Sequence, residues 1–121
     1  MKKIKFNIPI YDWDVIFVED ITKNDIPAIT KLFKSESVTQ DCVDDMIEEI
    51  NDDAIDMGSH IFYRDARRSI ILLVGVSSDI MRRNLLAHEK RHLEDRILEY
   101  CKIDDIEAAA YLSGYIAEKL Y

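Results

Sequence analysis

The chain has 121 residues, 48% of them hydrophobic, and a formal net charge of -8; that is enough apolar material for one domain with its own core and too little positive charge to track a nucleic-acid backbone. Its longest apolar run, Ile70 to Val76, is far too short to span a bilayer, and Met1-Lys2-Lys3-Ile4-Lys5 leads into an alternating Phe6-Asn7-Ile8-Pro9-Ile10 pattern rather than a secretory signal. Cys42 and Cys101 have no C-x-x-C partner, which excludes a disulfide framework or zinc knuckle and leads us to expect reduced thiols in the cytoplasm.

In chain order, Lys3 to Ile10 and Asp14 to Val18 carry the β-branched and aromatic content of two short strands, joined as a hairpin through Pro9 and the Tyr11-Asp12 turn. Asn24 or Asp25 then caps a short amphipathic helix with Pro27 in its first turn and Ile26, Ile29, Leu32 and Phe33 as its apolar stripe. Gln40 to Asp53 forms a second helix, with Val43, Met46, Ile47 and Ile50 at i, i+3, i+4, i+7 spacing. Its acids lack the order of a calcium loop and form a solvated face. After Gly58, His60 to Tyr63 and Ile70 to Val74 predict a second hairpin whose later strand is buried on both faces.

Ser77 or Ser78 caps a long helix reaching about Tyr100, on which Leu86, Leu93, Ile97 and Tyr100 share one flank and Arg83, Lys90 and Glu94 another. Asp104 begins a last helix to about Leu120, with Glu107, Ala110, Tyr111 and Gly114 on one face. Those small residues predict a close antiparallel contact with the preceding helix. The expected fold is therefore α+β over residues 1–121 as a single domain, with a small, mainly antiparallel sheet and about four helices.

The chemistry concentrates in His88-Glu89-Lys90-Arg91-His92, an H-E-x-x-H within the long helix. Histidines four apart project from one helix face and can share a zinc ion, with the glutamate standing beside them. A catalytic zinc takes three protein ligands. The H-E-x-x-H-x-x-G-x-x-H pattern is excluded by Asp95 and Leu98, so an acid from the following helix is needed, and Glu107 suits that role.

His88-Glu89-x-x-His92 and the downstream Glu107-Ala108-Ala109-Ala110-Tyr111-Leu112-x-Gly114-Tyr115 together resemble the minimal gluzincin-type metallopeptidases, including short phage- and bacterial-encoded members. The likeness covers the last third of the chain. It implies a zincin-like site on the last two helices, with His88, His92 and Glu107 binding zinc and Glu89 activating a water for hydrolysis of a peptide or protein substrate. Tyr111, Tyr115 and His60 are candidates for stabilising the oxyanion. Asp95, Glu99 and Asp105 are candidates for orienting the imidazoles, and the His60 to Tyr63 strand is a candidate edge for the substrate.

The sequence departs from the family at Lys90 and Arg91, where active zincins usually carry uncharged residues. Asp104-x-x-Glu107 also has the spacing of a capping box, in which Glu107 would bond to its own helix start. These two features motivate a second expectation, a catalytically inactive zincin-like domain acting as a protein-binding module.

Overall fold

A computed structural model describes all residues, 1–121. Its elements are β1 (Lys2–Ile8), β2 (Trp13–Ile21), a single 3-10 turn (Lys23–Asp25), α1 (Ile26–Ser35), α2 (Gln40–Asn51), β3 (Met57–Phe62), β4 (Arg68–Val74), α3 (Asp79–Tyr100) and α4 (Ile106–Leu120). Both expected hairpins are present, β1 antiparallel to β2 and β3 antiparallel to β4. They join through a parallel β2/β4 pair into one mixed sheet of order β1-β2-β4-β3. The α+β class with four helices therefore holds, and the sheet is mixed. No helix is long and apolar enough to cross a membrane.

Strand alternation divides the core in two. Trp13, Val15 and Phe17 of β2 with Ile71 and Leu73 of β4 pack against Leu86, Leu93 and Ile97 of α3 and Leu112, Ile116 and Leu120 of α4. The intervening residues Ile16, Val18, Ile70, Leu72 and Val74 pack against α1 and α2, through Ile29, Phe33, Val43, Met46 and Ile50. Successive side chains of a strand point to opposite faces, so a strand covered on both sides reads as a continuous apolar run, as β4 does. The acids of α2, Asp41, Asp44, Asp45, Glu48 and Glu49, are exposed.

The junction between β4 and α3 is held by backbone geometry. Gly75 has φ 65°, and a Cβ there would lie 1.9 Å from the Ala54 carbonyl oxygen, so only glycine fits. The Asp56 amide donates to the Gly75 carbonyl at 2.9 Å, and the Asp56 carboxylate accepts from the Ser77 amide at 2.8 Å and from its hydroxyl at 2.7 Å. Ser78 then caps α3, its hydroxyl accepting from the Met81 amide at 3.1 Å.

Three details of the α3/α4 pair differ from the sequence expectation. The cap of α4 is Asp105, whose carboxylate accepts from the Ala108 amide at 2.9 Å, so the helix starts one residue later and the Asp104/Glu107 capping box does not form. The packing face of α4 is the stripe Leu112, Ile116 and Leu120. Ala110, Tyr111 and Gly114 lie on the exposed side, and a Cβ on Gly114 would meet nothing within 4 Å. Burial of three large side chains at i, i+4, i+8 outweighs the close approach that Ala and Gly permit.

The charged flank of α3 is likewise an internal seam. Lys90 and Glu94 form a buried ion pair, and the Lys90 ammonium also donates to the Ser113 hydroxyl of α4 at 2.7 Å. Removing one partner of a buried pair leaves an uncompensated charge, whereas replacing both by apolar groups is near neutral. Glu94→Ala is expected to lower unfolding stability by about 3 kcal/mol, and Lys90→Met/Glu94→Leu to restore most of it, measured by urea denaturation with an unchanged m value.

Candidate functional site

His88 and His92 lie one turn apart on α3, with exposed side chains facing β3. Their Nε2 atoms are 3.1 Å apart, with ring centroids 4.7 Å apart and planes at 76°. Two nitrogens bound to one tetrahedral zinc at about 2.0–2.1 Å would stand roughly 3.3 Å from each other. The pair therefore already holds the bite of two metal ligands; without metal, one imidazole donates its Nε2 hydrogen to the other.

Glu89 is turned inward from the pair and is buried, 5% exposed. Its carboxylate lies against β3 at Gly58, where a Cβ would come within 2.8 Å of Oε1 and 3.0 Å of Cγ. The missing side chain of Gly58 is thus the space that Glu89 occupies. Burial pushes the Glu89 carboxyl above its ordinary range, and the neighbouring His88 and His92 partly offset that. Gly58, Ser59, His60 and Phe62 from β3, with His88, Glu89 and His92 from α3, line an open cleft of about 390 Å³. One side of that cleft is β3, an edge strand paired with β4 on one side and with no strand on the other.

His60 enters the same cleft from a fixed position. Its Nε2 lies 2.8 Å from the Ser69 hydroxyl, which accepts from the Trp13 indole N–H at 3.1 Å. Trp13 can only donate, so all three groups are satisfied when Ser69 donates to Nε2 and the imidazole keeps its hydrogen on Nδ1. Burial first, then the charges of His92 and Arg96, lower the His60 pKa from 6.5 to about 4. At neutral pH it is an uncharged wall of the cleft.

The remaining sequence candidates are elsewhere. Ser113 of α4 meets Lys90, and Lys90 stands two residues, about 200°, around α3 from His88. The helix bearing Glu107 therefore packs on the side of α3 away from the imidazoles, and Glu107 is exposed in its first turn. No three His, Cys, Asp or Glu side chains converge in an arrangement able to hold a metal ion. The fold thus assembles two of the three expected ligands, and Glu107 is not brought to them. A zincin-like site across the last two helices is not shown.

Tyr111 is 76% exposed and lines a different, apolar groove with Ile8, Pro9, Ile10 and Tyr11. Tyr115 donates its hydroxyl to the Asn7 carbonyl at 3.1 Å. Among the oxyanion candidates only His60 shares the cleft. Of the orienting candidates, Asp95 pairs with Arg91 at 3.1 Å, Asp105 caps α4, and Glu99 is exposed without an ion pair. Sequence reasoning missed Gly58 and Ser69, whose roles depend on strand register, and Arg96. The spacing of 88, 92 and 96 does place Arg96 on the histidine face.

No protein-family model matches the chain, and neither do any of the curated proteins or solved structures.

The depressed pKa of His60 has a sign that can be checked. Between pH 6.5 and about 4 the unfolded chain takes up this proton and the folded one does not, so stability is fully present above pH 6.5 and falls through that window on acidification. At about 1.4 kcal/mol per tenfold change in proton affinity, the loss is bounded at about 3 kcal/mol. Metal-free wild type is expected to lose stability across this range in urea titrations, and His60→Gln to lack that component.

Proposed function

We propose that the protein is a zinc-dependent metallopeptidase that hydrolyses peptide bonds in the cleft between β3 and α3. The 3.1 Å separation of the His88 and His92 Nε2 atoms carries the reading, because it is close to the spacing of two nitrogens bound to one tetrahedral zinc. Supporting it are the buried carboxylate of Glu89 beside them and the open strand edge along the cleft. In this reading His88 and His92 hold the ion, and zinc, when bound, supplies Lewis acidity toward a water and the substrate carbonyl.

Glu89 takes a proton from that water onto its carboxylate and later returns it to the leaving nitrogen. Burial suits it to this work, since a carboxyl shifted upward is a stronger base than an exposed one. His60, held neutral by burial and by the charges of His92 and Arg96, lines the far wall, and β3 offers its backbone to an extended substrate. Glu107 remains the residue to which the family resemblance points as third ligand. Its role is tested by the zinc content of Glu107→Gln, measured separately from activity.

The acid that is missing from the pair favours a second reading, a zincin-like domain that binds a protein without cleaving it. The two are separated by turnover. Under the first reading, the zinc-loaded protein cleaves members of a peptide library, chelation removes the activity and zinc restores it. Absence of any turnover by protein containing one zinc per chain would establish the second.

For the individual residues, Glu89→Gln is expected to retain zinc and lose at least about a hundredfold in kcat. It should also unfold no more readily than wild type near neutral pH, since it removes a buried charge whose ionised form the fold disfavours. His88→Ala or His92→Ala should lose the metal itself, as read by metal analysis. Gly58→Ala is expected to keep the fold by circular dichroism while lowering kcat, because its methyl displaces the Glu89 carboxylate.

A further inference from the structure

We propose that the peptide taken by this cleft carries a carboxylate, and that Arg96 and Arg67, with Arg64 on the same loop, bind it. The proposal rests on reading the His88, Glu89 and His92 cleft as a peptide site.

The chain is strongly acidic, yet these arginines have been left without acidic partners. Of its seven arginines, Arg68, Arg82 and Arg91 form ion pairs with Glu36, Glu19 and Asp95. Arg64, Arg67, Arg83 and Arg96 form none; Arg96 lies at one end of the cleft, and the loop that carries Arg64 and Arg67 runs beside it. Arg96 lies one turn beyond His92 on the same face of α3. Its Nη2 donates to the Tyr63 and Arg64 carbonyls at 2.9 and 3.1 Å, and its guanidinium stacks over Phe62, a wall of the cleft, at 4.7 Å.

Arg67, on the β3–β4 loop, packs on the same aromatic ring as Arg96, and its Nη1 donates to the Tyr11 carbonyl at 2.8 Å and to the Cys101 Sγ at 3.6 Å. Its guanidinium and that of Arg96 lie 5.3 and 5.5 Å from the centre of one ring, Tyr100. Of the neighbouring acids, Asp65 and Glu99 are exposed and pair with neither, while Glu94 and Asp95 pair with Lys90 and Arg91. Moreover, the Nε of Arg96 is buried with no hydrogen-bond partner. Guanidinium groups present forked donors that match a carboxylate, and a buried donor without an acceptor is costly to leave unmade.

The spacing fits a peptide lying along the edge strand. From the middle of the histidine pair to Arg96 is six residues of helix, about 9 Å. An extended chain advances roughly 3.3 Å per residue, which places the bound carboxylate two or three residues from the bond that faces the pair. An acidic side chain and the carboxyl terminus of a short peptide present the same group at that distance. The net charge of the chain disfavours a nucleic-acid phosphate as the alternative anion.

The test uses fluorescein-labelled pools of hexapeptides, matched except for Glu or Gln at one position and for a free or amidated carboxyl terminus. They are titrated by anisotropy against zinc-loaded Glu89→Gln, which binds without turnover under the proposed function, and against wild type in parallel kinetics. The carboxylate-bearing pools are expected to bind at least about tenfold more tightly than their neutral counterparts. Glu against Gln separates a side-chain source from a terminal one. Arg64→Gln/Arg67→Gln, at exposed positions that leave the fold intact by circular dichroism, should reduce that ratio, and Arg96→Gln should abolish it.

Equal binding of acidic and neutral pools would overturn the proposal even if wild type cleaves them. So would a preference untouched by the three substitutions, or tighter binding of a single-stranded oligonucleotide than of any acidic pool. Selective binding that depends on the arginines, without cleavage of any pool by wild type, would uphold the proposal and remove the peptidase reading alone.

Discussion

The structure depends on β4 being buried on both of its faces. Ile71 and Leu73 close the core against α3 and α4, while Ile70, Leu72 and Val74 close the other against α1 and α2. With one neighbour parallel and the other antiparallel, β4 leaves β3 as an outer strand, and α3 lies across it. The cleft exists because of that arrangement: an edge strand whose backbone has no further partner faces a helix whose exposed histidines and buried glutamate point toward it. A symmetric sheet with β4 outermost would have no place for it.

Within the motif, four residues occupy three different environments. The imidazoles of His88 and His92 stay in solvent and converge on each other, Glu89 is pressed against the bare backbone of Gly58, and Lys90 is turned into the seam with α4. The charge at Lys90, which looked out of place within a metal motif, is neutralised by Glu94 on the far side of the helix. The histidine-bearing side of the motif and the side packed on α4 are thus electrostatically separate.

The local elements were legible because hydrophobic period and cap chemistry act over a few residues. The helices over Ile26–Ser35, Gln40–Asn51 and Asp79–Tyr100 and both hairpins follow from such signals. The β2/β4 pairing was not legible, since nothing local to either strand records which distant strand it meets. The orientation of α4 was misread for a physical reason: Ala110 and Gly114 allow close packing, but Leu112, Ile116 and Leu120 gain more by burial and turned those small residues outward. Glu107 and Tyr111 went outward with them. The histidine pair was visible from spacing alone, whereas Gly58 and Ser69 acquire meaning only once the strand register sets them beside Glu89 and His60.

The joint before α3 has a further implication. Gly75, pressed against the Ala54 carbonyl, and Asp56, gripping both polar groups of Ser77, form a rigid mount from which the helix departs. A small error of launch angle grows along a rod, and His88 and His92 ride two to four turns downstream of this mount. The placing of the imidazoles therefore depends on this mount as well as on the core packing of Leu86, Leu93 and Ile97, and a substitution at Asp56 or Gly75 would shift them from a distance.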